Sequence, residues 1–233
     1  MKSVVVHLIT GLDTGGAEVM LFRLLTTIDQ QRFHSQVISL TNVGAMGERI
    51  RQLGIPVQAL GMRPGVPHPL AVLRLSRWLR QSKPALVQTW MYHADLIGGL
   101  AAWLADVPVV WNIRHSDLNP AHIKRSTIWV ARVCAWLSRW LPAAIVVNSE
   151  NAKRIHVGMG YRHEKMVFIP NGFDLEQFQP DPPVGCALRR QLDLEDGVPV
   201  VGMAARYHPQ KDHRTFVQAA TLLCERMPEA RFL

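Results

Sequence analysis

The sequence predicts an α/β protein whose first domain is a doubly wound parallel sheet, followed by the start of a second domain of the same kind. Short apolar runs rich in β-branched residues alternate with longer segments of helical period. The short runs are apolar on both faces, which is typical of strands buried between two layers. Strands of this kind joined by helical crossovers indicate a parallel sheet covered on both sides by helices.

Seven strands and six helices are predicted in the first domain. The predicted strands are Val4–Ile9, Gln36–Leu40, Pro56–Leu60, Ala85–Trp90, Val107–Ile113, Ala143–Asn148 and Lys165–Ile169. The predicted helices are Ala17–Ile28, Gly47–Leu53, Pro69–Gln81, Ala94–Ala105, Ala121–Leu141 and Glu150–Val157. Pro69 suits a first helical turn, where its missing N–H group would be unpaired in any case. Ser149 follows a strand and can cap the helix that begins at Glu150.

A break in this pattern follows Ile169. The next residues read PNGFDLEQFQPDPP, with four prolines and the turn-forming pair Asn171-Gly172, which predicts an interdomain linker. The pattern then restarts with elements near Ala187–Leu192 (helix), Val198–Ala204 (strand), Arg214–Met227 (helix) and Arg231–Leu233 (strand). We therefore expect a first domain at residues 1–170, a linker at 171–196, and at 197–233 the beginning of a second domain that is cut short.

The composition favours a folded protein with an anionic partner. The net charge of +8 arises from residues 1–180, because residues 181–233 carry equal numbers of basic and acidic side chains. A phosphate-bearing ligand or an anionic membrane fits this excess, whereas no helix-turn-helix, zinc-finger or aromatic RNA-binding pattern supports nucleic acid. Three distant cysteines without a CxxC pair argue against disulfides and structural zinc. With no signal peptide and no apolar run of about 20 residues, a cytoplasmic protein is expected.

The first candidate site element is the loop after the first strand, which reads TGLDTGGAE. Ligands of open parallel sheets bind beyond the carboxyl ends of the strands, so this loop is expected to border the ligand crevice. Gly15 and Gly16 let a ligand approach the backbone, and the N–H groups that open the next helix face the same space. The loop matches neither GxGxxG nor the GK[ST] ending of a P-loop. A plain turn is the alternative interpretation.

Two histidines follow later strands at the same predicted edge. His115 lies in WNIRHSD, at the carboxyl end of a strand, and is expected beside the glycine loop. Its imidazole can hydrogen-bond a sugar hydroxyl or a phosphate, although a structural role is the alternative. His93 and Asp95 follow another strand and are weaker candidates. Arg114 and Asp117 are expected to form local salt bridges or caps.

A basic pair lies in the second domain, in the sequence AARYHPQKDH. Arg206 and Lys211 follow a predicted strand and precede a helix, where a guanidinium fork and an ammonium group can hold a diphosphate together. Two solvated charges in an exposed loop are the alternative.

The helix Ala121–Leu141 has a mixed basic and aromatic stripe. At about 100° per residue, its arginines and tryptophans lie side by side, namely Arg125, Arg132, Arg139, Trp129, Trp136 and Trp140. The helix Pro69–Gln81 repeats the pattern. Arginine and tryptophan beside an apolar face favour a helix that lies on an anionic membrane. An ordinary amphipathic helix with snorkelling arginines is the alternative.

Five short motifs occur in order along the chain: GGAE in the first loop, NIRHS after a central strand, VNSE at Val147–Glu150, IPNGFD at Ile169–Asp174, and RYHPQKD in the second domain. In this order and spacing the chain resembles the family 4 retaining glycosyltransferases of the GT-B fold, over essentially its whole length. The resemblance implies an acceptor-binding N-terminal domain and a donor-binding C-terminal domain, both Rossmann-like, with the active site in the cleft. The implied donor is a nucleotide-sugar such as a UDP- or GDP-sugar.

The resemblance also implies site residues. His115 matches the family's active-site histidine near the sugar, and Gly15 and Gly16 would face the donor phosphates or the acceptor. Arg206 and Lys211 match the pair that stabilises the departing diphosphate. Further candidates for the cleft are Glu18, His93 and Asn171. The family needs no divalent metal, no DxD motif is present, and no cofactor is implied because the nucleotide-sugar is a substrate.

The chain departs from the family at its end, because the acidic motif that holds the donor ribose and sugar would lie beyond Leu233. We therefore expect the 233-residue form to be weakly active or inactive. The alternatives are a non-catalytic acceptor- or membrane-binding fragment and a sugar-nucleotide epimerase of the same fold. The basic helices suggest a glycan or lipid-linked acceptor, as in cell-envelope polysaccharide synthesis, and a peripheral position at the inner face of the plasma membrane.

Overall fold

The computed structural model describes residues 2–63, 69–120, 123–195 and 197–233. It divides into two compact units, Met1–Gly172 and Phe173–Leu233. The first unit is a seven-stranded parallel sheet flanked by helices, which confirms the predicted fold class.

The sheet of the first unit has the strand order β3-β2-β1-β4-β5-β6-β7. Its strands are β1 (Ser3–Ile9), β2 (Phe33–Ser39), β3 (Val57–Ala59), β4 (Leu86–Trp90), β5 (Val109–Ile113), β6 (Ala144–Val147) and β7 (Met166–Phe168). From β1 the chain first winds outward through β2 and β3, and it then returns to β4 and winds in the opposite direction. The strand order therefore reverses between β1 and β4, which are direct neighbours with Ile9 opposite Trp90.

The helices form two layers, one on each face of the sheet. They are α1 (Gly16–Thr27), α2 (Gly44–Gln52), α3 (Pro69–Ser82), α4 (Tyr92–Ala105), α5 (Arg125–Leu137) and α6 (Glu150–Met159). Right-handed crossovers in opposite winding directions place α1 and α2 on one face and the other four on the opposite face. The packing agrees, because α1 contacts α2 while α4 contacts both α3 and α5.

Each layer buries its own apolar cluster against the sheet. The cluster under α1 and α2 includes Leu21, Leu25, Ile50 and the indole of Trp90. The cluster under α3 to α6 is larger and includes Trp111, which is fully buried. Two clusters on opposite faces explain why the strands are apolar at successive positions.

Helix α4 lies close against the sheet because its middle contains two glycines. A Cβ atom at Gly98 would meet the side chains of Leu8 and Thr89. A Cβ atom at Gly99 would meet the indole of Trp111. The absence of both side chains lets the helix backbone approach the strands directly.

Most element boundaries lie within a few residues of the prediction. Helix α4 begins at Tyr92 rather than Ala94, and β2 begins at Phe33 rather than Gln36. Ser149 caps α6 as predicted, since its Oγ accepts a hydrogen bond from the Ala152 N–H group. Helix α5 spans Arg125–Leu137, which is shorter than predicted, and residues 121 and 122 of the predicted helix lie outside the described residues.

The second unit contains two helices and a pair of short parallel strands. Its elements are α7 (Pro182–Gln191), β8 (Val200–Val201), a 3₁₀ turn at Pro209–Lys211, α8 (His213–Arg226) and β9 (Arg231–Phe232). Helix α7 lies within the predicted linker, whose residue 196 is outside the described residues. It begins earlier than predicted because Asp181 caps it by accepting from the Val184 N–H group, with prolines in the first turn.

Candidate functional site

The reversal of strand order between β1 and β4 creates the place where ligands of such sheets bind. Loops leaving the carboxyl ends of the two neighbouring strands run in opposite directions and open a crevice between them. The glycine loop leaves β1 here, and residues 91–93 leave β4 beside it. Strand β5, which precedes His115, is the next strand along.

The glycine loop is held by its neighbours and leaves one open position. Leu12 is fully buried, and the Thr41 hydroxyl donates to the Thr10 carbonyl oxygen at 3.0 Å. Gly15 has an extended φ, and the Glu18 carboxylate lies beside it. Gly16 is the first residue of α1, is exposed, and has no atoms near the position of a Cβ atom. There is therefore open space beside Gly16 in the first turn of α1. The N-cap residue Gly15 provides no side-chain hydrogen bond to this turn.

The chain leaves β4 through a strained residue. Met91 has φ 75° and ψ 156°, a region that favours glycine. This turn places Tyr92 in the core and His93 in a half-buried position at the start of α4. Burial lowers the pKa of His93, and its Nε2 atom has no hydrogen-bond partner among the described residues. Burial thus favours the neutral form of the His93 imidazole, whose Nε2 atom is not used by the described residues at the predicted edge.

His115 is half-buried after β5, and its ring orientation is fixed locally. Its Nδ1 atom donates to the carbonyl oxygen of Asp117 at 2.7 Å. Asp117 also caps the loop, as predicted, because its carboxylate accepts from the Asn119 N–H group. The His115 ring also lies edge-on to the Tyr92 ring, with ring centroids 6.4 Å apart. The structure thus joins the loops after β4 and β5 through Tyr92 and His115.

A buried tyrosine–histidine pair supports these loops, and the sequence analysis missed it. The Tyr92 hydroxyl donates to His156 Nε2 at 2.7 Å, while His156 Nδ1 donates to the Ala152 carbonyl oxygen at 2.7 Å. Burial lowers the pKa of His156, and a positive charge on His115 would lower it further. Tyr92 and His156 lie 64 residues apart, so no local pattern could pair them.

Arg114 makes a long-range contact rather than the local salt bridge or cap that the sequence predicts. One guanidinium nitrogen donates to Asn171 Oδ1 at 2.6 Å, and the group lies over the Trp90 ring at 5.1 Å. Arg23 donates to the Gly172 carbonyl oxygen at 3.1 Å. Asn171 is therefore brought to the same edge of the first unit as His115, as part of an anchored turn.

Asp95, a weaker candidate, belongs to the core instead. Its side chain is fully buried, and Oδ1 accepts from the Thr89 hydroxyl at 2.5 Å. Burial raises the pKa of this carboxyl well above its usual value. This buried hydrogen bond joins the first turn of α4 to the preceding strand β4, which is a structural role.

The basic pair of the second unit lies in the predicted segment between a strand and a helix. Arg206 and Lys211 are both exposed, and they follow β8 and precede α8. The Arg206 carbonyl oxygen accepts from His213 Nε2 at 3.0 Å, and Asp212 caps α8 by accepting from the Thr215 N–H group. Both cationic side chains therefore remain at the surface of the second unit.

The first unit also has a cavity away from these loops. A cavity of about 630 Å³ lies beside β3 and α3, with Leu60, Met62, Arg63 and Arg74 among its lining residues. It includes none of the predicted site residues. Across the described ranges, no group of three or more His, Cys, Asp or Glu side chains could hold a metal ion. No helix in those ranges is long and apolar enough to cross a membrane.

Comparison with known protein families gives one family over most of the chain. The family model described as "Glycosyltransferase Family 4" matches residues 14–177. These residues include Gly15 and Gly16 of the glycine loop, both candidate histidines and the anchored turn at Asn171.

Two curated relatives are glycosyltransferases by name. The chain is 28% identical over 235 residues to "Putative glycosyltransferase EpsF" of Bacillus subtilis, covering 95% of this chain and 59% of the relative. It is 27% identical over 169 residues to the "UDP-Gal:alpha-D-GlcNAc-diphosphoundecaprenol alpha-1,3-galactosyltransferase" of Escherichia coli, covering 70% of this chain and 43% of that protein. The chain thus spans between two fifths and three fifths of these relatives.

Solved structures share the fold. Anabaena Alr3699/HepE in complex with UDP and glucose superposes with a TM-score of 0.76 at 24% identity, covering 99% of this chain and 60% of that one. UDP-N-acetylglucosamine 2-epimerase from Rickettsia bellii superposes with a TM-score of 0.54 at 13% identity, covering 100% of this chain and 62% of that one. The chain therefore has a Rossmann-like fold of the GT-B type, and it superposes more closely on HepE than on the epimerase.

Proposed function

Since this chain belongs to glycosyltransferase family 4, we propose that it transfers a sugar from a nucleotide-sugar to a glycan or lipid-linked acceptor, with retention of anomeric configuration. The observation that carries this proposal is the family match over residues 14–177, which contain both glycines of the loop after β1 and both candidate histidines. The glycine loop follows β1 and His93 follows β4, the two strands between which the order reverses and beyond which ligands of such sheets bind, and His115 follows the adjacent strand β5.

A UDP-sugar is the proposed donor. The E. coli relative uses UDP-Gal according to its name, and HepE was solved with UDP and glucose. The proposed acceptor is a lipid-linked glycan, because the name of the same E. coli relative specifies a diphosphoundecaprenol acceptor. Exopolysaccharide or cell-envelope glycan synthesis is the corresponding setting.

His115 and the glycine loop are the proposed sugar and phosphate contacts of the first unit. With Nδ1 donating to the Asp117 carbonyl oxygen, Nε2 of His115 is the nitrogen left for a substrate group. The exposed first residue of α1, Gly16, leaves room for a phosphate near the backbone N–H groups of that helix. Glu18 and His93 flank this space in our proposal.

Arg206 and Lys211 are the proposed diphosphate contacts of the second unit. The nucleoside diphosphate leaves with negative charge when the glycosidic bond to the donor breaks, and cationic donors positioned for that charge lower the barrier. Both side chains are exposed, so substrate oxygens can reach them. We propose that this charge stabilisation takes the place of a divalent metal, and that no cofactor takes part.

An epimerase function has weaker support. The epimerase structure has a TM-score of 0.54, compared with 0.76 for HepE, and both curated relatives are named as glycosyltransferases. An epimerase converts a sugar-nucleotide without an acceptor, so the requirement for an acceptor separates the two functions.

The proposal is tested by incubating the chain with UDP-sugars and a diphosphate-linked lipid acceptor. Acceptor-dependent release of UDP is expected, EDTA should leave the rate unchanged, and NMR of the product should show the anomeric configuration of the donor. Equal consumption of UDP-sugar with and without acceptor would instead indicate an epimerase. No acceptor-dependent turnover with any UDP-sugar would overturn the proposal.

A further inference from the structure

We propose that the helical layer formed by α3, α4 and α5 docks onto an anionic phospholipid bilayer. The central feature is an Arg/Trp stripe along and just after α5. It consists of Arg125, Trp129, Arg132, Trp136, Arg139 and Trp140. This surface is separate from the candidate site and does not depend on which sugar is transferred.

The tryptophans of the stripe face solvent rather than the core. Trp129, Trp136 and Trp140 are 61%, 60% and 57% exposed. The inward side of α5 is filled by smaller buried residues, namely Val130, Ala131, Cys134 and Ala135. Residues spaced by three and four positions share one side of a helix, so arginine and tryptophan alternate along the outer side. In an ordinary amphipathic helix the indoles would occupy the buried side instead.

The neighbouring helices extend the same surface. Helix α4 contacts α3 on one side and α5 on the other, so the three helices form one layer. Trp103 of α4 is 64% exposed, and Leu70 and Leu73 of α3 are 66% and 47% exposed. The outer face of the layer therefore presents large apolar side chains from all three helices. Exposed apolar surface of this extent on a folded protein marks an interaction site.

The positive charge of this layer favours an anionic partner. Residues 69–82 and 124–141 contain seven basic residues and no acidic ones. Tryptophan and arginine together suit the headgroup region of a bilayer, where indoles reach the acyl boundary and guanidinium groups meet lipid phosphates. A second copy of this chain would bring the same positive charges against the stripe, which disfavours a symmetric dimer through this face.

Vesicle binding tests the proposal without any sugar substrate. The chain should co-sediment with vesicles of phosphatidylcholine and phosphatidylglycerol, and much less with phosphatidylcholine alone. The triple variant R125E/R132E/R139E should bind about a hundredfold more weakly, because each arginine contributes roughly a factor of five near an anionic surface. W129S/W136S/W140S should also lose binding, and its loss should persist at a salt concentration that already removes the electrostatic contribution.

A charge-matched control uses K2E/R32E/R49E, which changes the net charge equally at exposed positions outside this layer. It should bind vesicles at least ten times more tightly than the stripe variant. Quenching of tryptophan fluorescence by brominated phospholipids gives a measurement on the unaltered protein, so the test does not depend on variant folding. Absence of quenching, equal binding by both charge variants, or a dimer that the tryptophan variant dissociates would overturn the proposal.

Discussion

A hydrogen bond to a backbone carbonyl decides which nitrogen of His115 carries the ring proton. Because Nδ1 donates to Asp117, Nε2 accepts a hydrogen bond when the ring is neutral and donates one when it is charged. The position of His115 at the end of a strand could be predicted from the sequence. Its tautomer could not, because that depends on where the Asp117 carbonyl points after the chain turns.

Replacement of His115 by alanine is expected to lower kcat by about a hundredfold to a thousandfold, which is typical for the loss of one positioned transition-state group. The Michaelis constant for the donor should change little, since the ring is proposed to act on the reacting sugar. Steady-state rates of UDP release measure both constants. Ser116→Ala, at the exposed neighbouring position, is the matched control and should keep its activity. A kcat within a factor of about two of the original would contradict the role of His115.

His7 is a buried residue whose protonation opposes folding. Its ring is fully buried in β1 near Trp90, and desolvation lowers its pKa from 6.5 to about 4. The unfolded chain therefore binds a proton at a pH where the folded chain does not. The free energy of unfolding should fall as the pH drops from about 6.5 towards 4, and the folded state is favoured above that window.

His7→Gln removes this titration and should flatten the acid side of the stability curve. Between about pH 7.5 and 4.5, the original protein should lose about 2.5 kcal/mol more unfolding free energy than the variant. Urea unfolding followed by tryptophan fluorescence measures the difference, since all seven tryptophans lie in the first unit. His156 and His93 titrate in both proteins, so their contributions cancel. Equal losses would show that His7 is not the responsible group.

At the scale of elements, most of the sheet could be predicted because each strand carries its own signal. Strands that are buried on both faces appear in the sequence as continuous apolar runs. Their alternation with helical segments predicts a parallel sheet, because parallel strands are joined by helical crossovers. Helix α4 begins at Tyr92, two residues before the predicted start, because Met91 adopts a backbone conformation that favours glycine. A methionine at this position does not indicate such a conformation. The early start of α7 has a local signal in the sequence, since Asp181 is a favourable N-cap residue and Pro182 suits a first helical turn.

The strain at Met91 predicts an unusual order of stabilities. Met91→Gly and Met91→Ala both remove the side chain, but only alanine keeps a Cβ atom at φ 75°. The glycine variant should therefore be more stable than the alanine variant by about 1 kcal/mol or more. Urea unfolding of the two variants measures the difference.

Ser126, on the exposed side of α5, supplies the control for Met91. There the usual helix preference should hold, with Ser126→Ala more stable than Ser126→Gly by up to about 1 kcal/mol. If alanine is also the more stable replacement at Met91, the turn after β4 carries no strain.

At the scale of the whole molecule, the sequence shows where the site loops lie along the chain. It does not show which residues of different loops contact one another. Each loop after a strand could be identified by its position, which is how the glycine loop, His93 and His115 were found. The contacts that fix these loops join distant residues, such as Arg114 with Asn171 and Tyr92 with His156. Such pairs require the folded sheet, because only the strand order brings their loops to one edge.

Binding of the donor is expected to stabilise the whole chain through the cationic side chains of its second unit. A ligand that binds only the folded state adds about 2.7 kcal/mol to the unfolding free energy at a hundred times its dissociation constant. UDP-sugar should therefore raise the melting temperature measured by scanning calorimetry, and R206Q/K211Q should lose most of that rise because two diphosphate contacts are gone. R190Q/R226Q removes the same charge at other exposed positions of this unit and should keep the rise. An equal rise in both double variants would exclude Arg206 and Lys211 from the donor site, since the two side chains would then contribute no more to binding than other exposed cations of the unit.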